Sequence, residues 1–101
     1  MSIEFPVAIA KITATVAGTA LTLVTFGFTQ AQVNRAKRAY ITVRTGPISV
    51  TWVNGVTAAA NDGILFPAGG TYEVEGPTNL QNLSMIRDTA TSATVTIILE
   101  G

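Results

Sequence analysis

Between Ala39 and Asn54 apolar and polar positions alternate with a period of two on both sides of a Gly-Pro break. Ile41 and Val43 alternate with Tyr40, Thr42 and Arg44. After Thr45-Gly46-Pro47, Ile48, Val50 and Trp52 alternate with Ser49, Thr51 and Val53. Successive side chains of a strand point to opposite faces, so this period predicts an antiparallel hairpin whose two strands each turn one face to a core. Trp52, the one tryptophan, falls on the inward phase and is expected to anchor the packing.

The same period recurs along most of the chain. Ile3, Phe5, Val7 and Ile9 hold the odd phase, and Ile12, Ala14 and Val16 the even one. A phase change near Ala10-Lys11 is what a β-bulge, or a turn between two short strands, produces. Leu21 and Leu23 start another strand, which Phe26 and Phe28 continue in the opposite phase. Thr29 to Arg38 breaks the pattern and reads as a polar loop with room for a helical turn. Asn54-Gly55 predicts a type I′ turn, and Ala58 to Gly63 a small-residue loop. Ile64-Leu65-Phe66 is a short apolar strand ended by Pro67-Ala68-Gly69-Gly70. Tyr72 and Val74 then face inward, with Thr71, Glu73 and Glu75 on the other face. Thr78 to Asn82 is long enough for one helical turn only. Ser84 to Arg87 makes a short strand, and Val95, Ile97 and Leu99 are the inward positions of a last strand, Ala93 to Leu99. Seven to nine short strands with turns every ten residues or so predict an all-β fold. The expected architecture is an antiparallel β-sandwich or jelly roll, as one domain over residues 1–101.

Composition sharpens this picture in one respect. Only 12% of the residues are charged, against 48% hydrophobic, and mean hydropathy is +0.42. A soluble domain carries about a quarter charged residues. Either part of the surface is covered, most simply by copies of the same chain or a larger assembly, or threonine-rich strands do without charge. Formal net charge is zero, which gives no general attraction to nucleic acid or anionic membranes. The apolar stretch from Phe5 to Phe28 is interrupted by Lys11, Gly18, Gly27 and five threonines, so it does not read as a spanning helix. The only charge before Lys11 is Glu4, which does not fit a secretory signal.

Candidate chemistry is sparse. There is no cysteine and no histidine, which removes thiolate chemistry, the commonest metal ligand and the commonest general base. Glu73 and Glu75 would sit about 6.5–7 Å apart on one strand face, a spacing that glycosidase carboxylates also use. Without a sugar platform nearby, a solvated face or pairing with cations is the better account. Asn61-Asp62-Gly63 offers a single carboxylate, too few for calcium. Ser49, Ser84 and Ser92 have no histidine to activate them. Neither a metal, a cofactor nor a catalytic residue is expected. Four of the six cations, Arg35, Lys37, Arg38 and Arg44, lie within ten residues of one another. With Tyr40, Glu73 and Glu75 they form the candidate interface, open to water, an acidic partner or phosphate.

From Ala39 to Gly101 the chain resembles the small auxiliary or decoration proteins of tailed-phage virions. The elements that carry the resemblance are Leu65-Phe66-Pro67-Ala68-Gly69, Tyr72-Glu73-Val74-Glu75-Gly76, the segment Asn79 to Arg87, and Ala93-Thr94-Val95-Thr96-Ile97. The resemblance implies a β-sandwich subunit that cements a capsid lattice in many copies. Its expected partners are the major capsid protein and copies of itself, a trimer among the closed forms, on the outer surface of a virion. A head–tail connector or tail subunit, or a glycan- or receptor-binding module with Tyr40 as its exposed aromatic, are the alternatives.

Overall fold

A computed structural model describes residues 7–101. Eight strands and three short helices follow in the order β1 (Ala8–Val16), β2 (Leu21–Thr22), α1 (Leu23–Phe26), α2 (Gln30–Arg35), β3 (Arg38–Arg44), β4 (Ile48–Thr51), β5 (Ile64–Phe66), β6 (Thr71–Glu75), α3 (Pro77–Gln81), β7 (Ser84–Arg87) and β8 (Ala93–Glu100). They form two four-stranded sheets, β1-β8-β3-β6 and β2-β7-β4-β5, with every pair antiparallel. The result is the all-β, jelly-roll-like sandwich that the alternation predicts.

The inner face of the first sheet is one apolar layer. Ala39, Ile41 and Val43 of β3, Val74 of β6 and Val95, Ile97 and Leu99 of β8 are all buried. They meet Ile48, Val50, Phe66 and Met85 of the second sheet, with Leu23, Phe26, Phe28, Val33 and Leu80 closing one side from the helical segments. Burying a side chain of this size contributes roughly 1.5–3 kcal/mol, so this layer is the main source of stability.

Four expectations need correction. β3 and β4 do not pair: β3 lies in the first sheet and β4 in the second, so Thr45-Gly46-Pro47 is a crossing between sheets and not a hairpin turn. An alternating pattern reports which face is buried, and that face is the same in both arrangements. Trp52 lies just beyond the end of β4 and is half-buried at the core's rim. Leu21 to Phe28 is not one strand. After two residues of β2 the Thr22 side chain accepts a hydrogen bond from the Thr25 N–H, and the Thr25 hydroxyl accepts one from the Thr22 N–H, starting α1. Gly27, at φ 141°, then stops the helix, and Leu23 and Phe26 share its buried side. At Asn54-Gly55 only Gly55 has a positive φ, the type II pattern in place of type I′, with the Val56 N–H donating to the Val53 carbonyl.

Elsewhere the pattern and the fold agree. The phase change in β1 is a register irregularity between Ala8 and Ala10 within one continuous strand. The polar segment after Thr29 holds six residues of helix, and α3 is a single turn. Ile3 and Phe5 lie outside the described residues.

Candidate interaction surface

The outer face of the first sheet carries most of the candidate residues. Because β1, β8, β3 and β6 are in register, their outward side chains line up in rows across the sheet. One row reads Glu75, Arg38, Glu100; the next Glu73, Tyr40, Ile98, Lys11; the third Thr71, Thr42, Thr96, Thr13. Threonine suits such a face, because its branched β-carbon fits the pleat while its hydroxyl bonds across strands. Thr13 and Thr96 hydroxyls lie 2.8 Å apart, those of Thr42 and Thr71 2.9 Å, and Arg44 Nη1 donates to Thr96 Oγ1 at 3.2 Å. Six of the twelve charged residues, Lys11, Arg38, Arg44, Glu73, Glu75 and Glu100, share this face with the threonines.

The basic stretch does not act as one patch. Arg35 is exposed on α2 and Lys37 in the link to β3, while Arg38, Tyr40 and Arg44 project from β3. Among the described residues Arg38 alone meets carboxylates, with Nη1 at 3.6 Å from Glu73 and Nε at 3.8 Å from Glu100. These half-exposed pairs are long and screened by solvent, so they contribute little. Tyr40 is half-buried between Ile98 and Glu73, not a free platform.

Glu73 and Glu75 share the outer face of β6, as their spacing predicts. The Glu73 carboxyl is held above the ordinary carboxylate range, first because its protonated form can hydrogen-bond to Glu75. Partial desolvation and the Glu75 charge add to this, while Arg38 pulls the other way. The Arg38 guanidinium is raised above its ordinary value, chiefly through hydrogen bonding with Tyr40, and stays a fixed cation. Among the described residues no cluster of three metal-ligating side chains occurs.

The second sheet presents a different surface. β5 is its edge strand, and Ile64 and Leu65 are 48% and 52% exposed. Val53 and Val56, in the loop leading into β5, are 59% and 48% exposed. Ile64 and Leu65 thus stand exposed on the edge strand itself, while Val56 lines a groove with Ala20, Thr22 and Ser84 on the β2 side of the sheet. The alternation pattern gives no hint of this exposure, since Ile64-Leu65-Phe66 reads only as a short apolar strand. Only Phe66 is buried, stacked on Tyr72 at 4.4 Å between ring centres.

Two serines set aside as candidate nucleophiles have a structural task instead. Ser49 Oγ donates to the Asp62 carbonyl at 2.8 Å, and Ser84 Oγ accepts from the Ala58 N–H at 2.9 Å. Both are buried, and between them they tie the β4–β5 loop to the sheet. Asp88 accepts from the Asn61 N–H at 2.9 Å on the same loop. Gly63 completes the anchor: at φ 120° a β-carbon there would lie 2.8 Å from the Val50 carbonyl oxygen. A groove of about 400 Å³ opens beside this loop, lined among others by Gly18, Asn61, Arg87 and Asp88. Among the described residues no aromatic side chain lines it.

No protein-family model and no curated protein matches the chain. A solved structure of Bacillus endospore appendages, described as disulfide-linked pili, is similar at 17% identity and a TM-score of 0.48. The likeness covers 99% of this chain and 92% of that one. At that level it supports no inference about role, and the disulfides of that description have no counterpart here, since the chain has no cysteine.

Proposed function

We propose that this chain is a non-catalytic structural subunit that associates with copies of itself on the surface of a larger assembly. The carrying observation is the edge strand β5, where Ile64 and Leu65 stand exposed. Such an edge combines unpaired backbone groups with apolar side chains, and natural sheets normally blunt it with charge. The nearest charged residue in sequence, Asp62, has its backbone tied to Ser49 and Ala59.

The finer form of the proposal is a virion decoration or cement subunit, which rests on the sequence resemblance of residues 39–101. Its partners would be the major capsid protein and further copies of the chain. Light scattering over a range of concentrations tests the general reading: a dimer or larger species is expected, and a monomer throughout would overturn it. Replacing Leu65 by Lys should reduce that association about tenfold or more, since a buried apolar contact gives way to an ion. Co-sedimentation with emptied phage heads tests the finer form, which fails if the protein stays in the supernatant.

A further inference from the structure

The two edges of the first sheet, β1 and β6, match one another. We infer that copies of this chain join head to tail, with the β6 edge of one pairing antiparallel to the β1 edge of the next. This rests on the self-association reading and adds to it a contact on the other sheet, separate from the β5 edge.

Direction comes first. β1, β8, β3 and β6 alternate in direction, so β6 runs opposite to β1. A second copy brought alongside therefore continues the sheet in the same antiparallel sense, about 4.8 Å from strand to strand. Register follows from the rows already traced. Continuing each row past β6 places Lys11 of the next copy beside Glu73, and Thr13 beside Thr71. On the inner face it places Ile12 beside Tyr72 and Ala10 beside Val74. One register therefore gives opposite charges, a hydroxyl pair and two apolar pairs at once. A shift of one residue would put Lys11 over the apolar layer, so the alternation itself selects against slippage.

The side chains at both edges are suited to this. Lys11, Thr13, Thr71 and Glu73 are exposed, while Ile12 and Tyr72 are half-buried against the core with one side open. The threonine pairs inside the sheet, Thr13 with Thr96 and Thr42 with Thr71, show the hydrogen bond that a Thr71–Thr13 contact between copies would repeat. A lysine on an edge strand more often serves to block pairing. Lys11 differs because the row it belongs to ends on a carboxylate at the opposite edge. An interface of this kind uses two different surfaces, so it closes into a ring or runs on as a filament according to the rotation between copies.

The absence of cysteine makes the test clean. A Thr13→Cys variant and a Thr71→Cys variant, mixed and oxidised, should give a disulfide-linked dimer that neither gives alone. The chain carrying both should give a ladder of multimers. In parallel, Lys11→Glu should weaken association about tenfold, and adding Glu73→Lys should recover most of it, because opposed like charges are unfavourable and the swapped pair is not. Association that persists in light scattering without any mixed cross-link would overturn this pairing and leave the general reading standing. If Lys11→Glu leaves association unchanged, Lys11 is only an edge blocker and the pairing falls as well. A monomer at every concentration would overturn both readings.

Discussion

The two sheets of this sandwich are built on different terms. The first has strands of nine, eight, seven and five residues that alternate between core and outer face, apart from the irregularity near the start of β1. The second has strands of two, four, four and three, and its β4–β5 loop is fastened by buried serine side chains. Long in-register strands draw stability from a continuous apolar layer. Short ones need local hydrogen bonds to fix what packing cannot. Surface character divides in the same way, into rows of threonine and paired charge on one sheet and exposed aliphatic side chains on the edge of the other.

Removing part of the shared layer is the severest way to break this contrast. Ile97 sits at the middle of β8, between Ile12 of β1 and Ile41 of β3, and is completely buried. Ile97→Ala should cost about 3–5 kcal/mol in denaturant unfolding, from lost transfer energy plus the cavity. A loss under 1 kcal/mol would mean that the layer is not the main support. The second sheet's dependence on side-chain bonds is sharpened by Ser84→Ala. That change leaves the Ala58 N–H without its partner and should cost about 1–3 kcal/mol, with faster proteolysis in the β4–β5 loop. An equal loss of protection in β3 and β8 would show that the two sheets do not differ as described.

The smallest effect concerns the charged row. A carboxyl held above its ordinary value in the fold binds its proton more tightly there than in the unfolded chain. Its contribution to stability is complete below the ordinary carboxylate pKa and is lost as pH rises through the raised value. Glu73→Gln should therefore flatten the pH dependence of stability in that window. Thermal melts at a series of pH values would expose an unchanged slope, which would assign the dependence to other groups.

How much of this was legible differs between the same two regions. β3, β6 and β8 follow from alternation alone, and so do their inward residues, because a two-sided strand on a core leaves a period of two. The shared face of Glu73 and Glu75 followed from the same period; the contact of Glu73 with Arg38 did not, since a period of two left a solvated face and pairing with cations both open. Leu21 to Phe28 was not legible. Leu21 and Leu23 fit a strand while Leu23 and Phe26 fit a helix turn, and the capping threonine at 25 replaces the glutamate or glutamine that would have signalled a helix start. Thr29 and Gln32 do carry that signal, and it could have placed α2. The crossing at Thr45-Gly46-Pro47 had no distinguishing mark, since burial of a face says nothing about which strand lies beside it. The exposed β5 edge was hidden for a related reason: three apolar residues in a row do not say which of them faces water or where the sheet ends.

The strand order has a consequence in time as well as in space. Among the described strands only β4 and β5 are both adjacent in sequence and paired, while β1 must find β8 at the far end of the chain. Each such pairing requires a long loop to close before any contact rewards it, which places folding on the order of milliseconds to seconds. During that interval β1 and β6 stand without their neighbours. A newly made chain has time to meet another before it has met itself.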